Sequence, residues 1–252
     1  MKTTDKKTVE QEQTLHARAG DPYNPYNYDR FSVDLYRLDQ LPGPEVGEQA
    51  PDFVAEALDG RTVSLSDYRG VPIVLVTGSY TCPQYVDKID AMDRISQRYP
   101  EATFLTIYVR EAHPGAEVPP HRHMEEKRAL ARRTVAEDGE KAEVLLDDLN
   151  GTAHRAFGSL PNVVYVIDAG GTVVMRGDWN NPRVVEEALG RIRRGESLGG
   201  MWSGFTPGSP LTAARVLRRA GWNALGDFLV ALPKLVAHHA AQHLSASRKS
   251  PR

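Results

Sequence analysis

The chemistry available to this chain converges on its single cysteine. Cys82 stands in the run Thr77-Gly78-Ser79-Tyr80-Thr81-Cys82-Pro83-Gln84-Tyr85. A thiol reacts as its thiolate, and an unperturbed thiol with a pKa of about 8.5 is only about 3 % ionised at pH 7. A reactive cysteine therefore needs surroundings that favour the anion. Before it, Val71 to Val76 is apolar and rich in β-branched residues, which predicts a buried strand. After it, Tyr85, Ile89, Met92, Ile95 and Tyr99 recur at helical spacing and predict one amphipathic helix, with Asp87, Lys88, Asp90 and Arg94 off the apolar face. Pro83 suits the first helical position, where a missing N–H costs nothing. Cys82 is thus expected at a helix N-terminus, where unpaired N–H groups and partial positive charge favour an anion. The expectation is a thiol titrating below about 8.

A second group of reactive side chains follows the next predicted strand, Thr103 to Val109. It reads Arg110-Glu111-Ala112-His113-Pro114. Alternate side chains of an extended segment face one way, so Glu111 and His113 are expected on a common face. If the two strands are parallel, that face reaches the sheet edge that carries Cys82, where open α/β sheets build their sites. The loop Pro119-Pro120-His121-Arg122-His123 could return His121 toward Glu111. Glu111, His113, His121 and His123 lack ligand spacing on a single helix, so neither a metal nor another bound cofactor is expected.

The elements that must hold these groups alternate along the chain. Asp59-Gly60 between two short runs predicts a hairpin. A helix over 125–137, a strand over 144–146, a brief helix over 152–157, strands over 163–168 and 172–175 around a Gly170-Gly171 turn, and a helix over 182–194 complete the core. Strands alternating with helices imply parallel members with helices on both faces. The chain divides into an N-terminal arm (1–40), a central domain (41–195) and a Gly/Ser/Pro-rich linker with a C-terminal helical extension (196–252). Residues 1 to 20 read as a mobile polar segment. Tyr23, Tyr26, Tyr28, Phe31 and Tyr36 read as an aromatic arm packed on the domain, a lid or a dimer contact. Gly221 and Pro233 should split the extension into two or three short helices, with His238 and His239 in a solvated tail. These helices would pack on their own domain, on a twin subunit or on a membrane surface.

With 252 residues, 40% hydrophobic and 25% charged, at net charge −2, the composition is that of a globular protein and argues against nucleic-acid binding. One cysteine cannot form an internal disulfide. The polar start and the lack of a run of about 18 apolar residues lead us to expect a cytoplasmic protein without stable membrane insertion.

Two resemblances sharpen these expectations. Ala50-Pro51-Asp52-Phe53, Asp59-Gly60 and Leu65-Ser66-Asp67-Tyr68-Arg69-Gly70 resemble the leader of redoxin domains of the thioredoxin superfamily, including peroxiredoxins and thiol-disulfide oxidoreductases. That implies a thioredoxin-like α/β fold, with a central mixed sheet flanked by helices. In it Pro161 takes the place of the cis-proline facing the active cysteine. From Val71 to Ile167, Gly78-Ser79-x-Thr81-Cys82-Pro83, then Tyr108-x-x-Glu111-Ala112-His113-Pro114, then His121-Arg122 resemble the iodothyronine deiodinases. Cys82 occupies the selenocysteine position, and Gln84-Tyr85 replaces Pro-Phe. The resemblance implies Cys82 as nucleophile, with Ser79 and Thr81 donating hydrogen bonds near it. It further implies a relay through Glu111 and His121, with His113 orienting a substrate's polar group and Tyr108 and Pro161 contacting the substrate. A thiol-dependent oxidoreductase is expected, removing halogen reductively from a small iodinated aromatic. The one-cysteine peroxidase and the non-enzymatic redoxin-fold interaction module are the alternatives. No second cysteine follows to resolve an oxidised Cys82. The reductant would be an external thiol, a thioredoxin-like donor, or Cys82 of a second copy in a homodimer.

Overall fold

The computed structural model describes residues 26–36, 42–199 and 201–249, with the side chains of Trp202 and of 238–249 left out. The polar segment 1–20, Tyr23 and the side chains of His238 and His239 therefore lie outside the described residues. The strands are β1 (Val54–Ala57), β2 (Thr62–Ser64), β3 (Ile73–Gly78), β4 (Thr103–Tyr108), β5 (Glu143–Leu146), β6 (Val164–Ile167), β7 (Val173–Gly177) and β8 (Trp202–Ser203). They form one sheet in the order β2-β1-β5-β4-β3-β6-β7-β8. β3, β4 and β5 run parallel, while β6 runs antiparallel to β3 and pairs antiparallel with β7. This is the thioredoxin-like arrangement, with β1 and β2 as the hairpin that Asp59-Gly60 predicts.

The helices are α1 (Pro83–Val86), α2 (Ile89–Arg98), α3 (Met124–Asp138), α4 (Thr152–Ala156), α5 (Pro182–Arg193), α6 (Pro210–Ala220) and α7 (Trp222–Lys249). Both faces of the sheet are covered, which is why β3 and β6 are apolar without alternation. Ile73 and Leu75 point into one core with Ile107, Leu145, Phe157 and Tyr165. Val74 and Val76 point into the other with Met92, Ile95, Met175 and Leu189, where α2 and α5 pack.

Three expectations are corrected. The helix after Cys82 is not continuous: α1 is a single turn, and the chain restarts as α2 at Ile89. Asp87 marks the break, because its carboxylate accepts from Ser209 N (2.9 Å) and Lys88 Nζ (2.8 Å). The extension holds two helices, within the two or three expected, but the second is long and is not split at Pro233. Gly221, at φ 125°, ends α6, whereas Pro233 lies inside α7. No cis peptide occurs among the described residues, so the bond before Pro161 is trans. The predicted linker also contributes structure, since β8 pairs parallel with β7. No helix of the described residues is long and apolar enough to cross a membrane.

Candidate active site

Parallel register builds the site. Gly78 at the end of β3 pairs with Tyr108 at the end of β4, so 79–82 and 109–113 leave the sheet side by side. Gly78 has a steric reason to be glycine: a Cβ there would lie 2.5 Å from the Tyr85 ring, which packs on the strand end. A side chain at 78 would displace that ring and the turn that carries Cys82.

Glu111 is the hub. Its Oε2 accepts from Thr81 N (2.8 Å) and Thr81 Oγ1 (2.6 Å). Its Oε1 accepts from Tyr108 Oη (2.6 Å) and His121 Nε2 (3.0 Å). Four donors saturate a buried carboxylate. Burial opposes its charge, but the bonds and charge of His121 and the bonds from Thr81 and Tyr108 prevail, and its pKa is held below the usual carboxylate value. Around this hub, Tyr80 N donates to Tyr108 Oη (3.0 Å) and Asn27 Nδ2 to the His121 carbonyl (3.0 Å). The 119–123 loop thus returns His121 to Glu111, as the sequence suggested. His123 goes elsewhere, to the N-cap of α3.

Sequence reasoning erred on directions. The Thr81 hydroxyl donates to Glu111 and not to the sulfur, and it accepts from His113 N (3.1 Å). Ser79 Oγ accepts from Ala112 N (3.2 Å), so it also fastens the two loops together. Tyr108 is fully buried, is not among the residues that line the cavity beside Cys82, and supports Glu111. Glu111 and His113 do not share a face, because the strand ends at Tyr108 and the chain bends. The His113 ring lies between Phe31 (centroids 4.2 Å apart) and Phe228 (5.6 Å). Burial pushes its pKa down to about 3, which keeps it neutral, and its Nδ1 has no hydrogen-bond partner.

The thiol is the largest correction. Cys82 is 2% exposed, and burial pushes its pKa up to about 12. The backbone N–H groups of Tyr85 and Gln84 pull the other way, and the nearby Glu111 charge adds to the rise. A one-turn helix offers little dipole, so desolvation wins over the effect expected from the junction. At rest Cys82 is a thiol.

Cys82 also lines a cavity of about 700 Å³. Its walls come from three distant parts of the chain. Phe31, Val33 and Tyr36 belong to the arm, Ala112, His113 and Pro161 to the sheet edge, and Leu217, Leu225 and Phe228 to α6 and α7. Such a concave, apolar space with few polar groups is the usual form of a small-molecule site.

The iodothyronine deiodinase family profile matches residues 25–186. The chain belongs to the iodothyronine deiodinase family. It is 29% identical over 154 residues to thyroxine 5-deiodinase of Ovis aries, a match covering 56% of this chain and 52% of that one. It is 30% identical over 154 residues to thyroxine 5-deiodinase of Sus scrofa, covering 56% and 50%. The chain spans about half the length of the curated relatives it matches. Among solved structures it resembles an uncharacterised conserved protein from Geobacillus kaustophilus (TM-score 0.53, 18% identity, 66% of this chain and 94% of that chain). It also resembles a hypothetical protein from Sinorhizobium meliloti 1021 (TM-score 0.54, 16% identity, 66% and 94%). These two show the fold alone.

Within this deiodinase-family chain, the match ends at Glu186, before α6 and α7 begin. The cavity residues from those helices were not named from sequence. One signal pointed to them: Leu225, Phe228, Leu229, Leu232 and Val236 make an apolar stripe along one helix. Arg110 was also missed. Its guanidinium stacks at 4.9–5.2 Å on Tyr26, Tyr28 and Tyr36 and Nη1 donates to the Tyr26 carbonyl, which fastens the arm to the site.

Proposed function

We propose that this protein is a thiol-dependent oxidoreductase of deiodinase type that reductively removes halogen from an iodinated aromatic. One observation carries the reading: Cys82 lines an apolar cavity, and its neighbour Thr81 is tied to a saturated Glu111–His121 pair.

Sulfur attacks iodine. The S–I bond forms as the C–I bond breaks, and the electron pair of that bond is left on the aryl carbon. That carbon needs a proton. A resting thiol with a pKa near 12 carries one. Cys82–SH and Ar–I then give Cys82–S–I and Ar–H with no net proton from outside. Thr81, next to Cys82 in the chain, forms a hydrogen-bonded series with Glu111 and His121 beside the sulfur. An external thiol next attacks the sulfenyl iodide, releasing iodide and a proton and leaving a mixed disulfide. A second thiol restores Cys82 and leaves as the disulfide. The sole cysteine of this sequence requires that both thiols come from outside the chain or from a second copy.

The test is iodide release from a panel of iodinated phenols with dithiothreitol, run beside thiol-dependent consumption of hydroperoxides. Iodide release that disappears in Cys82→Ser supports the reading. Hydroperoxide consumption without iodide release would replace it with Cys82–SH and ROOH giving Cys82–SOH and ROH. Either activity surviving in Cys82→Ser removes Cys82 as its nucleophile.

A further inference from the structure

The cavity beside Cys82 has a composition that restricts its ligand. No Lys, Arg, Asp or Glu lines it among the described residues. The polar side chains on its wall are Tyr36, Cys82, Gln84, His113 and Trp179, all uncharged groups at neutral pH. Charged groups around the site have partners, and Lys234 and Asp34, on the elements that line its mouth, pair at 3.4 Å while 67% and 78% exposed. Glu111 is saturated by four donors. Arg110 is covered by three tyrosine rings. Asp227 takes Arg30, whose Nε donates to it at 2.7 Å, and Asp87 takes Lys88 and Ser209. His113 is one of several buried side chains with an unpartnered polar atom, Arg110 Nε and Asn162 Oδ1 being others. It is 7% exposed, yet its Nδ1 meets no partner, and its ring is held by Phe31 and Phe228 on the cavity wall.

The way in is apolar as well. Leu229, Leu232 and Val236 line the cavity and remain 57%, 39% and 59% exposed, so its mouth lies along α7. A ligand bearing an ammonium and a carboxylate would leave water there without a counter-charge among the described wall residues to meet it, and an unpaired ion taken out of water is strongly disfavoured.

We propose that this cavity takes an uncharged, largely apolar molecule and that it discriminates against ligands carrying a free amino-acid group. This rests on the proposed function for the site's reactivity but not for its binding.

The experiment uses Cys82→Ser protein, which isolates binding from turnover. Two ligands are compared by calorimetry. One is an iodothyronine iodinated on its inner ring, so that its phenol stays protonated. The other is the same diphenyl ether with methyl in place of the amino-acid side chain. The methyl compound is expected to bind at least about tenfold tighter. Ala213→Glu, which adds a carboxylate to the wall on α6, and Phe228→Ala, which removes a support of His113, should each weaken it about tenfold, with folding checked by melting. Equal or tighter binding of the amino-acid compound overturns the proposal, as does neutral binding indifferent to both variants. Neutral binding without iodide release from the parent protein would overturn the catalytic reading alone.

Discussion

Cys82 has two sides, and they are built by opposite physics. On one, Glu111, His121, Thr81 and Tyr108 form a polar cluster in which the buried carboxylate accepts four hydrogen bonds. On the other, the cavity is a wall of apolar side chains with a neutral imidazole whose Nδ1 is unpartnered. The polar side comes from three segments within about forty residues, brought together by one pair of parallel strands. The cavity side needs residues as far apart as Phe31 and Val236. A buried charge is tolerable only when its bonds are complete, so the cluster has one workable arrangement. An apolar wall has no such demand, and it can be remodelled by exchanging volumes.

The largest effect should come from breaking the cluster. Glu111→Gln removes the charge that three side chains donate to. Turnover should fall about 10²–10⁴-fold, and alkylation of Cys82 at pH 8–9 should become faster, since the Glu111 charge raises the thiol's pKa. A slower alkylation would mean that Glu111 does not act on the sulfur.

The cavity side should show in the acid stability curve. His113 protonates near pH 3 in the fold and about 6.5 when unfolded. Between those values the unfolded chain binds the extra proton, so stability rises with pH across the window and is flat above it. Acidification from about 6.5 toward 3 therefore destabilises. His154, held well below its ordinary value by burial, behaves the same way and remains in both proteins. Glu111, with its lowered folded pKa, adds a loss only as pH falls below its unfolded value of 4.5. In His113→Leu, the fall in melting temperature between pH 6.5 and 5 should be smaller than in the parent. Identical slopes would show that His113 is not buried as described.

Cys82 joins the two sides, and its titration reports which dominates. Its alkylation rate should be slow at neutral pH and still be rising at about pH 10, without a plateau. A plateau near pH 7 would mean that the sulfur is more hydrated, or better served by donors, than its 2% exposure allows.

The mildest change is Tyr108→Phe, which deletes one of four bonds to Glu111 and leaves Tyr80 N short of an acceptor. A stability loss of about 1–3 kcal/mol is expected, with turnover reduced about tenfold. A neutral result would show that the remaining donors suffice.

Much of this was legible because it depends on short-range pattern. Apolar runs of the right length gave β3, β4 and β6, and the chain had to cross between parallel strands by helices. That alone delivers Cys82, Glu111 and His113 to one edge, and the proline-rich loop gave His121 a way back. What failed were properties of direction and of solvent. The Thr81 hydroxyl had two candidate acceptors, and only the folded geometry chose Glu111. The break at Asp87 depends on Ser209, more than a hundred residues away.

By itself, then, the sequence determined that a thiol, a carboxylate and an imidazole meet at the end of a mixed sheet, because hydrophobic periodicity and strand order are local constraints. Tertiary structure decided that the thiol rests protonated, that Glu111 is saturated, and that an uncharged cavity opens beside the sulfur along α7. Those follow from how completely distant segments exclude water, and exclusion of water is a property of the packed whole.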